Sequence, residues 1–209
     1  MEDIFLNILC GFPAIIIALT VHEFFHAFTA FRCGDPTAKY ENRVSLNPLA
    51  HIDPVGAVIL FMTLLVSPFV VGWAKPVPVS ERYLGKPRRD IFLVSFAGPL
   101  SNMALAFLAG IFIRLGAGEA MPIVGLFLLK FVSVNLSLGL FNLLPVPPLD
   151  GWKIIQAVLP SDIVYKMKNL ETRSPYVTYA ILAIVIFSGI VQIVLGPPYR
   201  LLYTLFTSQ

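Results

Sequence analysis

Residues 4–31 form one long apolar run broken by a single charged side chain, Glu23, which His22 and His26 flank. A run of this length crosses a bilayer, which needs about 20 apolar residues in a helix. Further apolar runs cover 55–73, 90–115, 122–144 and 176–196. Only 13% of the 209 residues are charged and the mean hydropathy is +0.80, where a soluble domain carries about 25% charged residues. The sequence therefore reads as an all-α polytopic membrane protein with about five to six membrane helices or segments. It is expected to form a single integral-membrane domain over 1–209, with a core over about 4–155 and a C-terminal helix and tail over about 156–209.

The interruptions organise the rest. Arg32, Gly34, Asp35 and Pro36 end the first run, and 37–53 is polar and irregular. A short strand pair fits 38–46, whereas Pro48 and Pro54 exclude a continuous helix. Pro68 interrupts 55–73, and Trp73-Ala74-Lys75-Pro76-Val77-Pro78-Val79 reads as an extended, β-like segment. A tail from Gly196-Pro197-Pro198 onward reads as interfacial. Segments 32–43, 75–89 and 153–173 are rich in Lys and Arg, and 114–121 is poor. The positive-inside rule places the first three in the cytoplasm, so 55–73 has to enter and leave on one side, as a hairpin or re-entrant element. The net charge of +3 reads as a topology signal rather than a nucleic-acid surface. Cys10 and Cys33 would lie about 34 Å apart on a continuous helix and read as free thiols. Met1-Glu2-Asp3 is not the basic start of a secretory signal, so the first helix is taken as retained.

His22-Glu23-x-x-His26 puts two imidazoles on one helix face, since residues four apart stack one above the other. Two such histidines followed by a glutamate make a zinc pair with a general base. Polar groups at bilayer depth are costly, about 2.5–3.5 kcal/mol for Asp at a helix centre, which argues against an idle motif. A catalytic zinc keeps three protein ligands and one open position. The third ligand is sought among Asp150, His51, Asp53 and Glu41, and Asp150 is favoured because 142–151 is a Pro-broken helix end with a lone carboxylate. Glu23 would act as base, and Asn142 or Asn102 would either stabilise an oxyanion or simply bond across helices. His51 reads as a loop or gating histidine, Lys130 as snorkelling outward, and Phe24, Phe25, Phe28 and Phe31 as packing or lipid-facing residues.

Three motifs taken together, His22-Glu23-x-x-His26, Ala97-Gly98-Pro99-x-x-Asn102 and Asn142-x-x-Pro145-x-Pro147-x-Leu149-Asp150-Gly151, resemble the site-2 protease family of intramembrane zinc metalloproteases. The segments from Asn47 to Pro54 and from Gly72 to Pro78 resemble its short prokaryotic branch. The resemblance implies one zinc held by His22, His26 and Asp150, Glu23 as catalyst, and active-site roles for Asn142 and Asn102. It also implies a multi-pass protein of the prokaryotic cytoplasmic membrane that cleaves transmembrane segments of other proteins near the cytoplasmic face. The expected partners are transmembrane protein substrates and the lipid bilayer, with no nucleic acid; a homo-oligomer stays open. Two other classes compete: a zinc or proton transporter, which should carry repeated halves and a polar path across the membrane, and a catalytically inactive partner-binding member.

Overall fold

The structure, a computed structural model, describes residues 2–66, 72–119, 121–173 and 175–208. Three long helices carry the fold: α1 (Glu2–Arg32), α4 (Pro87–Arg114) and α5 (Pro122–Asn142), each packed on the other two. Between the first two lie a single turn, α2 (Thr37–Tyr40), a 3-10 turn at Pro48–Ala50, and α3 (Pro54–Val66). After α5 come α6 (Asp150–Val158), α7 (Ser161–Arg173), α8 (Pro175–Phe187) and α9 (Ile190–Thr207). α6 packs on α4, and α9 lies against α5 and α4.

Among the described residues, three helices are long and apolar enough to cross a membrane: Ile8–Arg32 within α1, then α4 and α5. The bent pair α8–α9 adds a fourth if it counts as one span. Small residues let the three long helices approach, with Ala14, Ala106 and Ala109 buried against Phe131, Val132 and Leu136. The outward faces stay apolar. Phe25, Phe28, Leu100, Phe107 and Phe112 are all exposed, as expected of side chains that face lipid tails rather than water.

The polar connection after α1 differs from the strand pair anticipated at 38–46. No strand occurs among the described residues, and Thr37–Tyr40 is helical. The reason is local: buried Asp35 accepts the backbone N–H of Thr37 at 3.0 Å and also its hydroxyl, which starts a turn, while Asp35 Oδ2 accepts the N–H of Ser80. Among the described residues, the one backbone pairing of β type is an isolated antiparallel bridge between Ile52 and Ala74. That bridge closes the ends of the 55–73 segment on each other. Asp53 caps α3 through Gly56 N–H at 2.8 Å, with Pro54 in the first helical position. α3 has 13 residues, about 20 Å at 1.5 Å each, which is short for a hydrocarbon core of about 30 Å. Trp73 and Gly72 then return against Gly56 and Leu60. The two ends of the 55–73 segment thus meet; Pro68 and its neighbours in 67–71 lie outside the described residues.

The last apolar run, anticipated as one span over 176–196, is two helices meeting at 64°. Gly189 sits between them in the left-handed region with φ +78, a conformation open to glycine at low cost. Gly196-Pro197-Pro198, read as the opening of an interfacial tail, lies inside α9. The tail is held by packing: Phe206 sits on Gly110, and Tyr199 and Ser133 share a hydroxyl hydrogen bond of 2.8 Å.

Candidate active site

The His-Glu-x-x-His segment lies in α1 ten residues before its end at Arg32 (32 − 22 = 10). His22 and His26 are both buried and stand edge to face, ring centroids 4.6 Å apart. Their Nε2 atoms are 2.9 Å from each other, and each is 3.2 Å from Asp150 Oδ2. Asp150 is the first residue of α6, buried where a helix N-terminus favours negative charge. The three residues offer donor atoms that all lie within 4.8 Å of one another, a group able to hold a metal ion. Among the sequence alternatives for a third ligand, His51 is engaged with Ser45, Asp53 with the α3 cap, and Glu41 is exposed.

The other ring nitrogens decide whether the donor set suits a metal. His26 Nδ1 lies 2.7 Å from Val94 O; a carbonyl only accepts, so Nδ1 carries the proton. His22 Nδ1 lies 2.7 Å from Asn102 Oδ1. Asn102 Nδ2 donates to Ala18 O at 3.1 Å and to Asn135 Oδ1 at 2.9 Å, which orients the amide and makes His22 Nδ1 a donor too. With the rings neutral, both Nε2 atoms are bare, and they converge with a carboxylate oxygen. Three lone-pair donors at such distances, buried from water, repel one another unless a cation lies among them. The residues fit a zinc ion of two imidazoles and one carboxylate.

Glycines make room for this. A Cβ on Gly98 would lie 2.4 Å from His26 Nε2 and 2.8 Å from His22 Cε1. A Cβ on Gly151 would lie 2.2 Å from Leu143 O, so only glycine lets α6 sit tightly enough on the end of α5 to carry Asp150 inward. Both glycines stand in the motifs, and their steric role was not readable from the chain alone.

Glu23 is half-buried beside the cluster, and its charge reaches both His26 and His51. It forms no hydrogen bond or ion pair among the described residues, which leaves its carboxylate available. The two asparagines part company. Asn142 ends α5 and donates one Nδ2 hydrogen to Leu138 O at 2.9 Å. Asn102 is fully buried with both Nδ2 hydrogens taken; the oxyanion role read for it has no free donor, and it is a partner of His22 instead. Asn135, also fully buried, was missed altogether.

His51 and Arg43 form a second buried group. His51 Nε2 donates to Ser45 O at 2.7 Å, its carbonyl accepts Lys75 N–H at 2.8 Å, and Arg43 Nη2 donates to Lys75 O. Burial pushes the His51 pKa below its ordinary value, and the Arg43 charge adds to this. The imidazole braces the 45–51 loop against Lys75.

Buried histidine and carboxylate donors inside a bundle of membrane-spanning helices, next to an unpaired glutamate, define a membrane metallopeptidase site. The model for peptidase family M50 matches residues 113–188, a stretch that contains Asp150 but not the histidines. "Putative zinc metalloprotease YwhC" of Bacillus subtilis (strain 168) is 42% identical over 165 residues, covering 76% of this chain and 73% of that protein. "Putative zinc metalloprotease Rip2" of Mycobacterium tuberculosis (strain ATCC 25618 / H37Rv) is 32% identical over 153 residues, 73% of this chain and 57% of that protein. "Putative zinc metalloprotease MJ0611" of Methanocaldococcus jannaschii is 39% identical over 64 residues, 30% of this chain and 32% of that protein. No solved structure matches. The chain belongs to peptidase family M50, the site-2 protease family, and is a zinc-dependent membrane peptidase.

Proposed function

We propose that this protein is an intramembrane zinc endopeptidase that cuts transmembrane segments of substrate proteins close to the cytoplasmic face of the prokaryotic cell membrane. The observation that carries the reading is the convergence of His22 Nε2, His26 Nε2 and Asp150 Oδ2 within a helix bundle, beside Glu23. His22, His26 and Asp150 hold one zinc per chain. When bound, zinc supplies a Lewis acid for the scissile carbonyl and brings the pKa of water to about 7. Glu23 takes a proton from the attacking water and passes it to the departing amine. Asn142 has a second Nδ2 hydrogen for the developing oxyanion. Asn102 holds His22.

A helical peptide bond is shielded, so the substrate must be drawn out extended. The 72–80 segment supports this part of the reading. Pro76 and Pro78 have no N–H, so over 75–79 Lys75, Val77 and Val79 supply the donors, and alternate residues of an extended chain face one side. Lys75 N–H already pairs with His51 O, while Val77 and Val79 N–H have no backbone partner among the described residues. These two are where an unwound substrate strand adds. The lining of 145–151 would face such a strand from the α5–α6 side.

The test compares the purified protein with Glu23→Gln, zinc content checked in both, on a panel of transmembrane-segment substrates in detergent. The reading expects about one zinc in each and cleavage by the wild type alone, stopped by chelator. Cleavage by Glu23→Gln at the wild-type rate would remove Glu23 from the chemistry, and zinc without cleavage across the panel would favour transport or partner binding.

A further inference from the structure

We infer that Asn135, on α5 and remote from any metal ligand in sequence, is a positioning residue for the zinc site, acting through Asn102 on His22. This rests on the assignment of His22 as a ligand and extends it one helix outward.

Four polar groups form a single directed chain. Asn135 Nδ2 donates to Phe131 O on its own helix at 2.9 Å. This turns Asn135 Oδ1 toward α4, where it accepts Asn102 Nδ2 at 2.9 Å. Asn102 Nδ2 also donates to Ala18 O of α1 at 3.1 Å, and Asn102 Oδ1 accepts the Nδ1 proton of His22 at 2.7 Å. Both asparagines are wholly excluded from solvent, so no water can substitute for a lost partner.

The direction of the chain matters more than its strength. An asparagine amide can flip by 180° about its last bond, exchanging donor and acceptor. A flipped Asn102 would present N–H to His22 Nδ1 and force the ring proton onto Nε2, the atom that must be bare to ligate. The flip is opposed at two points, because Asn102 Oδ1 would then face both Ala18 O and Asn135 Oδ1. Ala18 O is part of α1 itself and moves with His22. Asn135 is the only side chain among the described residues that opposes the flip from a different helix. It therefore ties the tautomer of His22 to the packing of α5 on α4. The same α5 ends at Asn142 and is followed by Asp150, so one helix bears on two of the three ligands.

The experiment measures zinc affinity of the full chain in detergent by chelator competition, together with the visible spectrum of the Co2+-loaded protein and the thermal midpoint of the metal-free protein. The variants are Asn135→Leu, Asn135→Asp, Asn102→Leu and the Asn102→Leu/Asn135→Leu double. Asn135→Leu, which matches asparagine in size but accepts nothing, is expected to weaken zinc binding about tenfold and shift the Co2+ bands. Asn135→Asp keeps an oxygen acceptor toward Asn102 and should bind within about threefold of wild type. In the Asn102→Leu background, Asn135→Leu should add less than about twofold, because the path it acts through is gone. Unchanged zinc affinity in Asn135→Leu overturns the inference, as do effects that multiply in the double variant. If Asn135→Leu fails to fold, Asn135→Asp decides: a tenfold loss there overturns it. A wild type that binds no zinc overturns the metal site as well as this inference, whereas a zinc-binding wild type with an indifferent Asn135→Leu overturns only the latter.

Discussion

Two buried polar groups lie within electrostatic reach of Glu23, and they are wired in opposite ways. At His22, His26 and Asp150, every outer nitrogen is spoken for by Asn102 or Val94 O, and every inner atom points at one spot. At Arg43 and His51, the bonds made run outward to the backbone of 45 and 75, while Arg43 Nε, Arg43 Nη1 and His51 Nδ1 are buried with no partner among the described residues. The first group sits on helices, whose side chains are held to a fraction of an ångström by packing. The second sits on loops and holds two loop segments together. One is organised to bind, the other to brace, and the contrast explains why only one of three histidines is in the wrong place to be a ligand.

That contrast can be broken from either side. Gly98→Ala should do the most damage, because its methyl would occupy the space of both imidazoles. Zinc affinity should fall by at least about 100-fold. The helix should survive, since alanine is the better helix former by about 1 kcal/mol, and circular dichroism with metal titration checks both halves. Asn142→Ala should leave zinc binding alone and lower kcat by about 10²–10³, the usual cost of one oxyanion donor, as read from single-turnover cleavage. Arg43→Met should spare zinc too but leave Lys75 O without its donor, costing about 1–3 kcal/mol locally; faster amide exchange at Lys75 reports it. The smallest effect belongs to His51. Its folded pKa lies below the ordinary value of about 6.5, so the unfolded loop takes up a proton first as pH falls. The brace is at full strength above about pH 6.5 and weakens below it. His51→Gln should abolish that pH dependence in hydrogen exchange at 72–80.

How much of this the chain announced depends on the range of the interaction. The His22/His26 pair was legible because helical spacing alone puts i and i+4 on one face. Asp150 was legible as a carboxylate stranded after a broken apolar helix. Counting basic loops led to the expectation that 55–73 enters and leaves on one side; the structure shows the Ile52–Ala74 bridge joining the residues that flank it. What stayed hidden was set between helices. Gly98 matters only because α1 and α4 come close enough for a methyl to collide with imidazole. Asn135 in an apolar helix looks like any interhelical amide until Asn102 is seen across from it. Asn102 was open between an oxyanion donor and an amide bonding across helices, and its two Nδ2 hydrogens go to Ala18 O and Asn135 Oδ1. The break at Gly189 was overlooked because Gly196-Pro197-Pro198 is the louder signal, yet α9 absorbs those prolines where packing on α4 and α5 outweighs two lost hydrogen bonds.

The most direct test of the central claim is zinc K-edge absorption on the purified, zinc-loaded protein. Two imidazole nitrogens and a carboxylate oxygen are expected at about 2.0–2.2 Å, with the imidazole contribution halved, or the zinc lost, in His22→Ala and in His26→Ala. Sulfur at about 2.3 Å, or an unchanged ligand shell in either variant, would contradict that claim.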